Sequence, residues 1–128
     1  MSYYIARIVD LPFEAVPDKL PSILKTKGFG ILTEIDVKET LKRKLDVSFR
    51  KYKILGTCPP PFAFKALQAE PTIGTMLPCN IIGQETDDAQ TEVAAVDPIA
   101  SMQAVQNPDL GDVALEVQGK LQRVIDAL

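Results

Sequence analysis

Apolar positions along the chain change period several times, and each change marks an element. Residues 3–9 are rich in β-formers, with Tyr4, Ile5, Ile8 and Val9 ahead of Asp10, and read as a first strand. From Leu11-Pro12 the spacing becomes helical. Phe13, Val16, Leu20, Ile23 and Leu24 form one stripe, and Gly28 stands after Lys25 and Lys27 as a natural C-cap. Pro21 would remove a hydrogen bond to Pro17, so a kink or a helix in two pieces is expected there. A second strand follows at 31–35, where alternation puts Glu34 and Asp36 on one face. Asp36, three residues before Glu39, reads as the N-cap of a helix over 37–45 that turns Val37, Leu41 and Leu45 inward.

Residues 52–57 read as a third strand, stopped by Pro59-Pro60-Pro61, and 62–70 as a helix ended by Pro71. Residues 72–75 form a loop or single turn. Residues 77–85 and 92–97 read as a hairpin joined by Thr86-Asp87-Asp88-Ala89-Gln90. Residues 99–106 read as a loop with one helical turn carrying Met102. Asn107-Pro108 then opens a long helix on the stripe Leu110, Val113, Ala114, Val117, Leu121, Val124, Ile125 and Leu128. The order is β-α-β-α-β-α-β-β-α. The early alternation would suit a partly parallel α/β sheet. The closing hairpin and single long helix favour an α+β domain with a mainly antiparallel sheet and the last helix packed on one face.

Composition adds mainly exclusions. The 128 residues suit one domain, and 46% hydrophobic with 24% charged is ordinary for a folded protein. There is no histidine, which removes the commonest general base and zinc ligand together. A net charge of −3 argues against nonspecific nucleic-acid binding. Residues 1–53 nevertheless carry 11 basic and 7 acidic side chains, and 54–128 carry 3 and 10. No signal-peptide pattern or bilayer-length apolar run is present, so a cytoplasmic protein with no membrane partner is expected.

Gly28-Phe29-Gly30, Leu32-Thr33-Glu34-Ile35-Asp36, Tyr52-Lys53-Ile54-Leu55-Gly56, Lys65-Ala66-Leu67-Gln68-Ala69-Glu70-Pro71 and Leu77-Pro78-Cys79-Asn80 occur in that order. Together they resemble the domain-of-unknown-function 302 family of small bacterial and archaeal proteins, nearly end to end. The resemblance implies a TATA-binding-protein-like α+β fold, with helices against a curved antiparallel sheet, and a homodimer. It implies no activity.

Candidate chemistry gathers in the central stretch. Cys58 and Cys79 each stand beside a proline at a strand end, and in a cytosolic chain they are expected as thiols. Core packing, redox or persulfide chemistry, and a soft-metal site recruiting Met102 are the three roles open to them. Cys58, just before a helix N-terminus, is expected to be the more acidic thiol. Glu34 and Asp36 with Lys65 and Glu70 form a second constellation, suited to acid–base work if buried. Gly28-Phe29-Gly30 lacks the third glycine and the context of a dinucleotide fingerprint.

Three functions follow from these features. The first is a dimeric module binding a small molecule or protein, and it is the one the sequence favours. The others are a thiol-based redox or sulfur-handling protein using Cys58 and Cys79, and a hydrolase or isomerase using Glu34, Asp36 and Lys65. Glu34, Asp36, Cys58, Lys65, Cys79 and Asn80 are expected around one concave ligand site, with no cofactor or metal assigned.

Overall fold

The computed structural model describes residues 2–86 and 89–128. The elements are β1 (Tyr4–Val9), α1 (Ala15–Thr26), β2 (Gly30–Asp36), α2 (Val37–Leu45), β3 (Tyr52–Cys58) and α3 (Pro60–Ala69), followed by a 3-10 turn (Pro71–Met76). They continue with β4 (Cys79–Glu85), β5 (Thr91–Val96), a short α4 (Pro98–Ser101), a second 3-10 turn (Pro108–Leu110) and α5 (Gly111–Asp126). The five strands form one sheet in the order β1-β5-β4-β3-β2, and every pairing is antiparallel. The α+β class and element order match the sequence reading. Of the expected hairpin turn, Asp87 and Asp88 lie outside the described residues.

Alternation along the strands gives the sheet two unlike faces. On one, Val9, Leu55, Cys79, Ile81, Val93 and Ala95 meet Val16, Leu20 and Leu24 of α1 and Val117, Leu121, Val124 and Ile125 of α5. This is the main core. The α5 stripe is therefore buried as its period requires. Asn107 caps the turn before it, its side chain accepting from the Asp109 N–H at 3.0 Å. At the far end of α5, Arg7 donates to the carbonyl of Asp126 at 2.9 Å, placing a cation on the negative end of the helix dipole.

Two expectations are corrected. α1 is one uninterrupted helix with Pro21 inside it, not two pieces. Leu20 and Leu24 flank Pro21 and are fully buried, while Pro21 itself is exposed, so packing on the opposite side carries the helix past the missing bond. α2 has its predicted bounds, and Asp36 accepts from the Glu39 N–H at 3.0 Å as its cap. Its inward stripe is absent, however. Leu45 is 66% exposed and α2 buries no residue, because it lies at the β2 edge, beyond the reach of the core.

Gly56 is required by close approach. It is buried on β3 opposite Thr33, and a Cβ there would fall 2.6 Å from Pro78 Cγ and collide with Thr33 Oγ1. The Leu77-Pro78 peptide is cis.

Candidate functional site

The expected site residues fall into four places. Cys58 and Cys79 come together. The β3–β4 register sets Thr57 opposite Cys79, so Cys58 is one residue removed across the ladder. Both thiols are free and line a small apolar cavity of ≈20 Å³ with Phe62, Ala66, Met102 and Val117. The Thr57 hydroxyl donates to the Cys79 carbonyl at 2.8 Å, so the one buried hydroxyl beside the thiols is satisfied by backbone.

Cys58 remains the more acidic of the two thiols, but the lowering expected from the helix start is not found. Burial raises the Cys58 pKa above the ordinary thiol value. α3 begins at Pro60-Pro61, which have no N–H to offer, and the N–H groups of Phe62 and Ala63 both bond to Pro59 O. The helix start therefore presents no free donor to a thiolate. Cys79 is pushed up to about 11, by burial first and by the charge of Cys58 second.

Glu34 and Asp36 lie elsewhere, on edge strand β2. Their lysine partner is Lys53, not Lys65: Lys53 Nζ is 2.9 Å from Glu34 Oε1, and that bond holds the ammonium above its ordinary range. Lys65 is exposed on α3, with its ammonium 5.7 Å from the Phe62 ring centroid. The carboxylates and Lys65 thus form no acid–base unit.

Asn80 points to the sheet's other face, which the sequence reading overlooked. The register lines up Ala6, Ala94, Ile82, Ile54 and Ile35 as an apolar row across all five strands. A parallel row holds Ile8, Glu92, Gln84 and Tyr52. Among the described residues no helix contributes to the trough of ≈440 Å³ on this face, lined by Tyr3, Tyr4, Tyr52, Asn80, Ile82, Gln84, Glu92 and Ala94. Its charged groups are hydrogen-bonded through Gln84. Arg50 donates to Gln84 at 2.8 Å, Gln84 donates to Glu92 at 2.8 Å, and the Arg50 guanidinium sits 4.4 Å from the Phe49 ring centroid. The signal available in the sequence was the polar-apolar alternation on the second face of each strand.

A half-covered antiparallel sheet with an amphipathic trough defines the class: a small α+β domain. The profile of the family described as "Domain of unknown function DUF302" matches residues 5–128, and the chain belongs to that family. The fold is similar to the crystal structure of an uncharacterized conserved protein DUF302 from Bacillus stearothermophilus. The TM-score is 0.91 at 24% identity, covering 98% of each chain. No curated protein matches the sequence. No helix among the described residues is long and apolar enough to cross a membrane.

Proposed function

We propose that the protein is a small-molecule-binding module that works as a homodimer, the bare sheet face of one copy set against that of the other, with the ligand held in the enclosed trough. One observation carries this: a five-stranded face that is apolar yet uncovered, with Tyr4, Ile8 and Ile35 exposed on it. Five strands at ~4.8 Å spacing by six residues at ~3.3 Å give a footprint of ~24 by ~20 Å. Two such faces bury on the order of 1,000 Å², the lower bound for a specific pair. Arg50, Gln84 and Glu92 form one hydrogen-bonded chain, so these polar groups keep partners when the face is covered.

The trough volume lies in the range of small-molecule sites, with apolar walls and a few polar groups to orient a ligand. Three tyrosines, Asn80 and Gln84 suit a planar, partly polar molecule better than a purely aliphatic one. The net charge of −3 speaks against nucleic acid as the occupant. Two free cysteines fit the reducing cytoplasm. A redox role for the thiols draws less support, since burial lowers the thiolate fraction of both.

Native mass spectrometry of freshly purified protein tests the proposal, because it reads assembly and bound mass together. A dimer, alone or carrying a small molecule, is expected for the wild type, and a bare monomer for Ile82→Lys on the trough floor. A wild-type monomer at micromolar concentration would sink the dimer. A ligand retained by Ile82→Lys would place binding elsewhere.

A further inference from the structure

Beyond that reading, and on the opposite side of the sheet, we infer that Cys58, Cys79 and Met102 form a binding site for a soft monovalent metal ion of the Cu(I) class. The three sulfurs come from three elements: the last residue of β3, the first of β4 and the residue ending α4. All three line one cavity of ≈20 Å³, the size of a single water or ion. Its walls are apolar, so water gains too few hydrogen bonds to stay there. An ion that prefers sulfur and accepts two or three ligands needs none. The β3–β4 register sets Cys58 one residue from the position opposite Cys79, and half-buried Cys58 provides the entrance to buried Cys79.

A second, independent feature points the same way. Phe62 walls this cavity, and two ammonium groups converge on its ring: Lys65 from α3 and Lys120 from α5, each 5.7 Å from the centroid. Two like charges near one ring repel each other, and an anionic centre in the adjoining cavity would offset that repulsion. Binding creates such a centre. Each thiol releases its proton to solvent, each sulfur gives an electron pair to the metal, and the Met102 thioether adds a neutral third donor. No electron changes hands. The +1 ion and two thiolates leave a net charge of −1 beside the two lysines.

The test uses the reduced protein without oxygen, titrated with Cu(I) against a Cu(I)-binding chromophore, and with Ag(I) followed by native mass spectrometry. One metal per chain is expected, with an ultraviolet sulfur-to-metal charge-transfer band. Two protons leave per metal, so affinity should rise about 100-fold per pH unit between pH 6 and 8. Cys58→Ala and Cys79→Ser should each weaken binding at least about 100-fold, and Met102→Leu about 10-fold. Zn(II) should not compete, because three sulfurs in a dry cavity leave its tetrahedral shell incomplete. Circular dichroism checks each fold, and Cys58→Ala carries the test alone if Cys79→Ser unfolds. No binding, wild-type affinity in Cys58→Ala or in Met102→Leu, or a metal bridging two chains through Cys58 overturns the site. None of these results bears on the trough.

Discussion

Leu121→Ala is the sharpest test of how the fold is held. Leu121 is fully buried at the centre of α5, between that helix and the sheet. The substitution removes three carbons, worth ~2.4 kcal/mol at ~0.8 kcal/mol each. A residual cavity of ~60 Å³ adds ~1.5 kcal/mol, because the core of two helices on a sheet closes only partly. Alanine's better helix propensity returns a few tenths, leaving a loss of ~3–4 kcal/mol. Urea unfolding followed by circular dichroism reads this as a midpoint shift of roughly 2 M with the slope unchanged. Leu115 on the same helix is 60% exposed, so Leu115→Ala supplies the control, at about 0.5 kcal/mol or less. A loss below ~1 kcal/mol for Leu121→Ala, or equal losses for the two, would mean that α5 does not pack through the assigned face.

Other expectations rest on separate parts of the molecule. Gly56→Ala should cost ~1–3 kcal/mol in the same assay, since the new methyl meets Pro78 and Thr33, and a neutral result would show that those side chains move aside freely. Asp36→Ala should cost ~1 kcal/mol by removing the α2 cap, with Asp36→Asn recovering most of it. Cys79 has a folded pKa near 11, above that of an unfolded thiol. Between the two values the unfolded chain has lost this proton and the folded chain keeps it, so stability falls as pH rises. The stabilisation is whole below about pH 9 and lost toward pH 11, amounting to ~2–3 kcal/mol. Comparison with Cys79→Ala isolates the effect, and parallel pH profiles of the two proteins would contradict it.

Local periodicity made much of the fold legible. α2 and α5 show how: Asp36 marks the start of one, Asn107-Pro108 the 3-10 turn that leads into the other, and a 3.6-residue period runs through each. Whether a stripe is covered depends on where its helix lies, so Leu45 failed where Val117 and Leu121 succeeded. The break in two that Pro21 allowed did not occur, because the energy of burying Leu20 and Leu24 does not show in a local pattern.

The site was legible in pieces. Cys58 and Cys79 were read as neighbours from their places at strand ends, and both line the same cavity. The lowering expected of Cys58 was misjudged because a helix start made of prolines has the dipole without the N–H donors. Glu34 was matched to the wrong lysine, since the β2–β3 register that brings Lys53 to it is a long-range property. The trough needed still more: the strand order β1-β5-β4-β3-β2 and the knowledge of which face the helices take. Only then do Tyr4, Tyr52 and Gln84, distant in the chain, become neighbours.

The chain has three tyrosines and no tryptophan, and Tyr3, Tyr4 and Tyr52 all line the trough. Tyrosine emission therefore reports on the bare face and little else. Acrylamide quenching of that emission, measured across a protein dilution series, tests the central claim most directly. If this face is where two copies meet, quenching should be weak at high protein concentration and grow as the protein is diluted, while Ile82→Lys is strongly quenched throughout. Equal quenching of the wild type at every concentration, matching that of Ile82→Lys, would contradict the account.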